Sequence, residues 1–105
     1  MSFNKLAHIR YMTIDSLLRN QEGVFMEDLI RGCKRAIAFE TGDFFENIKL
    51  SKRTIQEDLK FFRESYGADI EEIRREVPEN KKKYITSKSK ISIYKYKDPN
   101  FSIAN

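Results

Sequence analysis

The chain has 105 residues, a net charge of +4, one cysteine (Cys33) and one histidine (His8). That length suits one compact domain and is too short for two, and a lone cysteine with a lone histidine gives neither an internal disulfide nor a ligand set for structural zinc. No apolar run approaches the roughly 20 residues that span a bilayer, and Met1-Ser2-Phe3-Asn4-Lys5 lacks the apolar core of a secretory signal, so a cytoplasmic protein with no membrane partner is expected.

From about residue 3 to 20, Ala7, Tyr11, Ile14, Leu17 and Leu18 keep a helical period and predict a first helix, stopped by Asn20-Gln21-Glu22-Gly23. Val24-Phe25 is an apolar pair too short for more than an edge strand. Met26, Leu29, Ile30, Cys33, Ala36 and Ile37 recur at i, i+3, i+4 and i+7, which predicts a second helix over 26–40 with Cys33 as a small buried hydrophobe. In the connector that follows, Phe44, Phe45, Ile48 and Leu50 are expected against the core, because a surface loop rarely carries four large apolar groups.

A third helix is predicted over 51–66. Ser51 can cap the free N–H groups of its first turn, and Gly67 can take the left-handed conformation that ends it. Ile55, Leu59, Phe62 and Tyr66 share one face and require a core. Lys52, Arg53, Thr54, Gln56, Glu57, Lys60 and Arg63 lie outward or in the first turn, where a helix offers donors and a positive dipole end to phosphate. The competing reading of those side chains is a solvated helix face.

Beyond Gly67 the pattern turns to strand. Ile91-Ser92-Ile93-Tyr94-Lys95-Tyr96 alternates, with Ile91, Ile93 and Lys95 on one face and Ser92, Tyr94 and Tyr96 on the other. Together with Ile70, Ile73 and Val77 it predicts an antiparallel hairpin over about 70–97 with a long, lysine-rich tip at 78–90. Seven of the twenty cationic residues lie between 81 and 97 with no acid among them, which leaves thirteen cations against sixteen carboxylates elsewhere. Charge gathered in this way is the footprint of polyanion binding, so Lys81, Lys82, Lys83, Lys88 and Lys90 are read as contacts to a nucleic-acid backbone, against the alternative of a disordered loop kept soluble by lysine. Tyr94 and Tyr96 are read as packing residues rather than as stacking platforms for single-stranded bases. Glu71, Glu72, Glu76 and Glu79 are expected to neutralise Arg74 and Arg75, and Phe101 and Ile103 in the tail are expected to dock on the domain or lead into further chain.

Three helices followed by a basic hairpin is the order of a winged helix-turn-helix, an α+β fold whose third helix enters the major groove while the hairpin lies along the flanking backbone. The expected domain covers 1–105. No nucleophile, acid–base pair or cofactor motif appears, so an enzyme is not expected, and neither a metal nor another cofactor is called for. The function read from the chain is sequence-specific binding of double-stranded DNA. The alternative is a winged-helix interaction module that docks an acidic protein partner.

Ser51-Lys52-Arg53-Thr54-Ile55-Gln56-Glu57-Asp58-Leu59 resembles the Ser-x-Arg-Thr-Ile-x-Arg-Asp-Leu pattern of DeoR-like regulators, and more closely the N-terminal domain of bacterial transcriptional regulators that carry a C-terminal WYL domain. The likeness extends to Ile9-Arg10-Tyr11 and Asp15, to Glu27-Asp28-Leu29-Ile30, to Tyr66-Gly67-Ala68-Asp69-Ile70 and to Asp98-Pro99-Asn100-Phe101-Ser102-Ile103. It implies that Arg53 and Thr54 contact DNA, with Asp58 and Leu59 holding the helix in place. It implies an effector ligand bound by a domain beyond these residues, toward which 98–105 leads, and it leaves a homodimer open. The chain departs from the pattern at Glu57, where the relatives have arginine; a carboxylate there repels phosphate but accepts from a cytosine amino group.

Overall fold

The computed structural model describes residues 4–86 and 90–104; of the sites expected from sequence, Lys88 lies outside them. The first helix, α1 (Lys5–Leu18), begins where Asn4 takes an extended conformation and its side-chain oxygen accepts the Ala7 N–H at 3.1 Å. Gly23, with φ of +86°, then turns the chain into a two-residue strand, β1 (Val24–Phe25). A Cβ at this position would lie 2.5 Å from the Ile93 side chain, so both the backbone angle and the space require glycine.

Helix α2 (Met26–Thr41) carries Glu27 and Asp28 in its first turn, where acids complement the helix dipole. Helix α3 (Lys52–Ser65) follows a short 3₁₀ turn over Phe45–Asn47 and is succeeded by Gly67 at φ +65°, the left-handed stop expected there. All three helices fall within two residues of the ranges expected from periodicity.

Two six-residue strands, β2 (Ile70–Arg75) and β3 (Ile91–Tyr96), form the hairpin, in register from Ile70 opposite Tyr96 to Arg75 opposite Ile91. β1 pairs with the other side of β3, Val24 against Tyr94 and Phe25 against Ile93. The sheet order is therefore β1-β3-β2, antiparallel throughout, with β3 in the middle and β1 at an edge.

The alternation in β3 divides its side chains between two hydrophobic clusters. Tyr94 and Tyr96 join Ile14, Leu18, Leu29, Cys33, Ile55, Leu59 and Phe62 in the main core beneath the helices. Ile93 packs on the opposite side of the sheet with Phe25, Val77 and Ile85. Part of the long, lysine-rich hairpin connection expected from sequence therefore packs on the sheet. After β2 the chain folds back, makes a second 3₁₀ turn at Glu79–Lys81, and covers the outer face of the sheet with Val77 and Ile85, both buried. Burial of apolar side chains of this size is worth about 1.5–3 kcal/mol each, which is the drive for the fold-back.

Two further expectations need correction. Phe44 is not tucked in but 74% exposed, because Asp43 Oδ1 accepts both the Phe44 N–H and the Asn47 amide, a turn that throws the ring outward; Phe45, Ile48 and Leu50 are half-buried. The hairpin acids do not neutralise Arg74 and Arg75 in any ion pair among the described residues. Glu72 instead accepts the Ser92 hydroxyl at 2.7 Å, Glu79 pairs with Lys82, and the Arg74 guanidinium donates to the Lys90 carbonyl at 2.6 Å.

The tail docks. Phe101 packs edge-on against Tyr96 with ring centroids 4.8 Å apart, and the buried Asp15 carboxylate accepts from the Tyr96 hydroxyl, the Ser102 hydroxyl and the Ile103 N–H at 2.7, 2.7 and 3.0 Å. Burial and the carboxylate together push the Tyr96 phenol above its usual range, so it remains a donor.

Candidate nucleic-acid interface

Helix α3 is anchored by its inner face. Ile55, Leu59 and Phe62 sit in the core, and the buried Asp58 takes a two-pronged ion pair from Arg10 of α1, with Nε to Oδ2 at 2.7 Å and Nη2 to Oδ1 at 3.1 Å. The bond to Asp58 outweighs burial and raises the pKa of the Arg10 guanidinium. A fork-to-fork pair fixes rotation about the helix axis as well as distance, so the outward side chains have a defined bearing.

At the head of α3, Ser51 Oγ accepts the Thr54 N–H at a long 3.4 Å and lies 3.3 Å from the Thr54 hydroxyl. Lys52, Arg53, Gln56, Glu57 and Lys60 are exposed and Thr54 is half-buried. Arg53 and Glu57, 87% and 66% exposed, meet one turn apart at 3.0 Å, and Lys60 stands 3.9 Å from Glu64. Exposed pairs of this kind hold only about 0.3–0.5 kcal/mol, so Arg53 is readily released to a stronger anion.

The wing lysines are not equivalent. Lys83 and Lys90 are exposed and Lys82 pairs with exposed Glu79 at 2.9 Å. Lys81 is drawn inward: its ammonium sits 2.8 Å from Asp28 Oδ2 at the start of α2 and 5.4 Å from the centre of the Phe25 ring. Helix and wing share a polar cleft of about 360 Å³ whose walls include Lys52 of α3, Glu27 of α2, Arg74 and Ser92 of the strands, and Tyr84 of the fold-back. Arg74 is a cation on this face that the hairpin pattern did not single out; its alternation with Glu72 and its charge were the available signals.

A larger concavity lies elsewhere. About 730 Å³ in volume, it runs between α1 and α2 with Ile9, Met12, Ala36 and the 85% exposed Phe39 along it, and neither α3 nor the wing contributes to its walls. Cys33 is fully buried and burial pushes its thiol up to about 12, which makes it a packing group rather than a nucleophile. Among the described residues no group of three His, Cys, Asp or Glu side chains is placed to hold a metal ion, and no helix is long and apolar enough to cross a membrane.

Three helices, a small antiparallel sheet, and a hairpin standing beside the head of the third helix define a winged helix domain, the kind of domain that serves DNA-binding regulators. Residues 6–86 match the family described as WYL domain-containing protein, N-terminal winged helix domain, and the chain belongs to that family. The match stops before β3 and the docked tail. No curated protein and no solved structure matches the chain.

Proposed function

We propose that this domain binds double-stranded DNA sequence-specifically, as the N-terminal part of a cytoplasmic bacterial transcriptional regulator whose recognition helix is of DeoR-like pattern. The observation that carries the reading is the cleft where Lys52 of α3 faces Arg74 and the wing: a helix head and a basic hairpin converge on one side of the molecule. Lys52, Arg53, Thr54, Gln56 and Glu57 then face the major groove, with Ser51 as cap. Lys60, Lys82, Lys83, Lys88 and Lys90 meet phosphates, and Arg74 joins them. Lys81, whose ammonium is taken by Asp28, serves the wing from within. The effector site is assigned to a WYL domain outside these residues.

Titration of the domain with random-sequence duplex at low and high salt tests the binding, and selection from a randomised duplex pool tests the specificity. Tight binding at low salt with a steep salt dependence, followed by enrichment of one motif, is the expected outcome. Glu57 favours one second reading, because an exposed carboxylate on the recognition face suits the polar surface of a protein better than it suits phosphate. In that reading the domain docks an acidic protein through its basic hairpin, and random duplex at low salt stays unbound.

A further inference from the structure

The fold-back that covers the outer sheet face ends in a cluster around one carboxylate. Asp28 Oδ2 accepts the Lys81 ammonium at 2.8 Å and the Phe25 N–H at 2.9 Å, while Oδ1 accepts the Tyr84 hydroxyl at 2.9 Å. The two wing residues come from sequence positions 53 and 56 residues away, on either side of the exposed Lys82 and Lys83. The Tyr84 ring is in turn covered by Arg31 of α2, whose guanidinium carbon lies 4.4 Å from the ring centre. Backbone bonds from the Tyr84 and Ile85 N–H groups to the Lys81 carbonyl, at 3.2 and 2.9 Å, close the turn. Asp28 therefore grips the lysine-bearing turn from both ends, and Tyr84 is also a wall of the cleft that contains Lys52.

We propose that Asp28 is a positioning residue for DNA binding: it latches the wing to the head of α2, so that Lys82 and Lys83 meet the backbone as a pre-ordered element rather than as a mobile loop. The proposal rests on the DNA-binding reading. Its distinguishing consequence is a matter of sign. Asp28→Asn removes a negative charge close to the interface, and electrostatics alone would tighten binding to a polyanion. A latch predicts the reverse, because the loosened turn must be ordered again in the complex, an unfavourable step of the kind that weakens affinity by about tenfold.

The test uses the intact chain and its Asp28→Asn and Tyr84→Phe variants, the second of which changes no charge and removes one hydroxyl. In free protein, hydrogen exchange at the Tyr84 and Ile85 amides should accelerate by about tenfold or more in both variants, while the amides of α3 keep their protection. Both should bind random duplex more weakly than the parent, with a salt slope no lower than the parent's, since the same lysines still reach phosphate. Binding by Asp28→Asn that is equal to or tighter than the parent's overturns the positioning role, as does unchanged exchange at Tyr84 and Ile85. Lost protection in α3 would likewise overturn it, by showing a general loss of fold. If the parent itself binds no duplex, the DNA reading fails and the positioning role with it, whereas the exchange measurement still decides whether Asp28 holds the wing.

Discussion

The guanidinium of Arg10 lies 2.7 Å from the carboxylate of Asp58, and this pair joins the first helix to the middle of the third across 48 residues of sequence. Both side chains are largely withdrawn from water, at 16% and 5% exposure. Removal of one partner strands a charge in a poorly solvated site, an effect of about 3–5 kcal/mol. We expect Asp58→Ala to lower the urea-unfolding free energy by about that amount, toward the lower end if water reaches the freed guanidinium. The double change Arg10→Met with Asp58→Leu should recover a large part of it, since the pair's desolvation cost disappears along with its attraction.

Acid should weaken the hold of Asp28 on the wing. Burial alone would raise the Asp28 pKa, but the Lys81 ammonium, the Phe25 N–H and the Tyr84 hydroxyl outweigh it and hold the carboxylate below its usual range. A carboxyl with a depressed folded pKa stabilises the native state above its unfolded pKa of about 3.9, and that stability fades as pH falls through the folded value. Urea midpoints measured from pH 7 downward should therefore decline below about pH 4 more steeply for the parent than for Asp28→Asn, which lacks the titrating group.

Within the proposed function, Arg53→Ala should weaken binding to a selected site by about 1–3 kcal/mol and leave random duplex nearly unaffected, as measured by fluorescence anisotropy with both duplexes. Equal losses on the two would move Arg53 from base reading to phosphate contact. Glu57→Gln, which frees Arg53 from its ion pair and removes a carboxylate, should tighten binding to random duplex and alter the motif enriched from a randomised pool.

Replacement of Lys82 and Lys83 together by alanine should lower the slope of log K against log salt by about 0.9 for each phosphate that is no longer neutralised, without a change in preferred sequence. An unchanged slope would remove both lysines from the interface.

The tail is a structural member. Ser102→Ala deletes a hydroxyl donor to the buried Asp15 and should reduce stability by about 1.5–3 kcal/mol, the range for hydrogen bonds to charged groups, and Asp15→Ala by more because it also leaves the Tyr96 hydroxyl unpaired. Calorimetric melting of the two variants checks the order.

The three helices were legible because their causes are local. Apolar spacing, a serine before Lys52 and a glycine after Tyr66 act within a few turns of one another. The hairpin strands were legible for the same reason, and so was the division of Tyr94 and Ile93 to opposite faces. The fold-back was not. Val77 and Ile85 are isolated apolar residues without a period, and their partners Phe25 and Ile93 come from other strands. Lys81 could not be told from Lys82 in a run of three lysines, since what separates them is Asp28, far off in sequence and near in space. Arg10 and Asp58 stood in two stretches far apart in sequence, and only the structure supplies the contact that gives both a reason to be there.

Ile93 and Tyr94 are neighbours in the chain, yet each belongs to a different hydrophobic cluster. The strand that carries them is a partition with a separate apolar layer on either side. Opening of the outer layer would uncover Ile93, whereas Tyr94 keeps its contacts with the main core beneath the helices, so the two layers are expected to differ in local stability. A label at position 93 would follow the wing and a label at 94 the body, two readings of one backbone taken a single peptide bond apart.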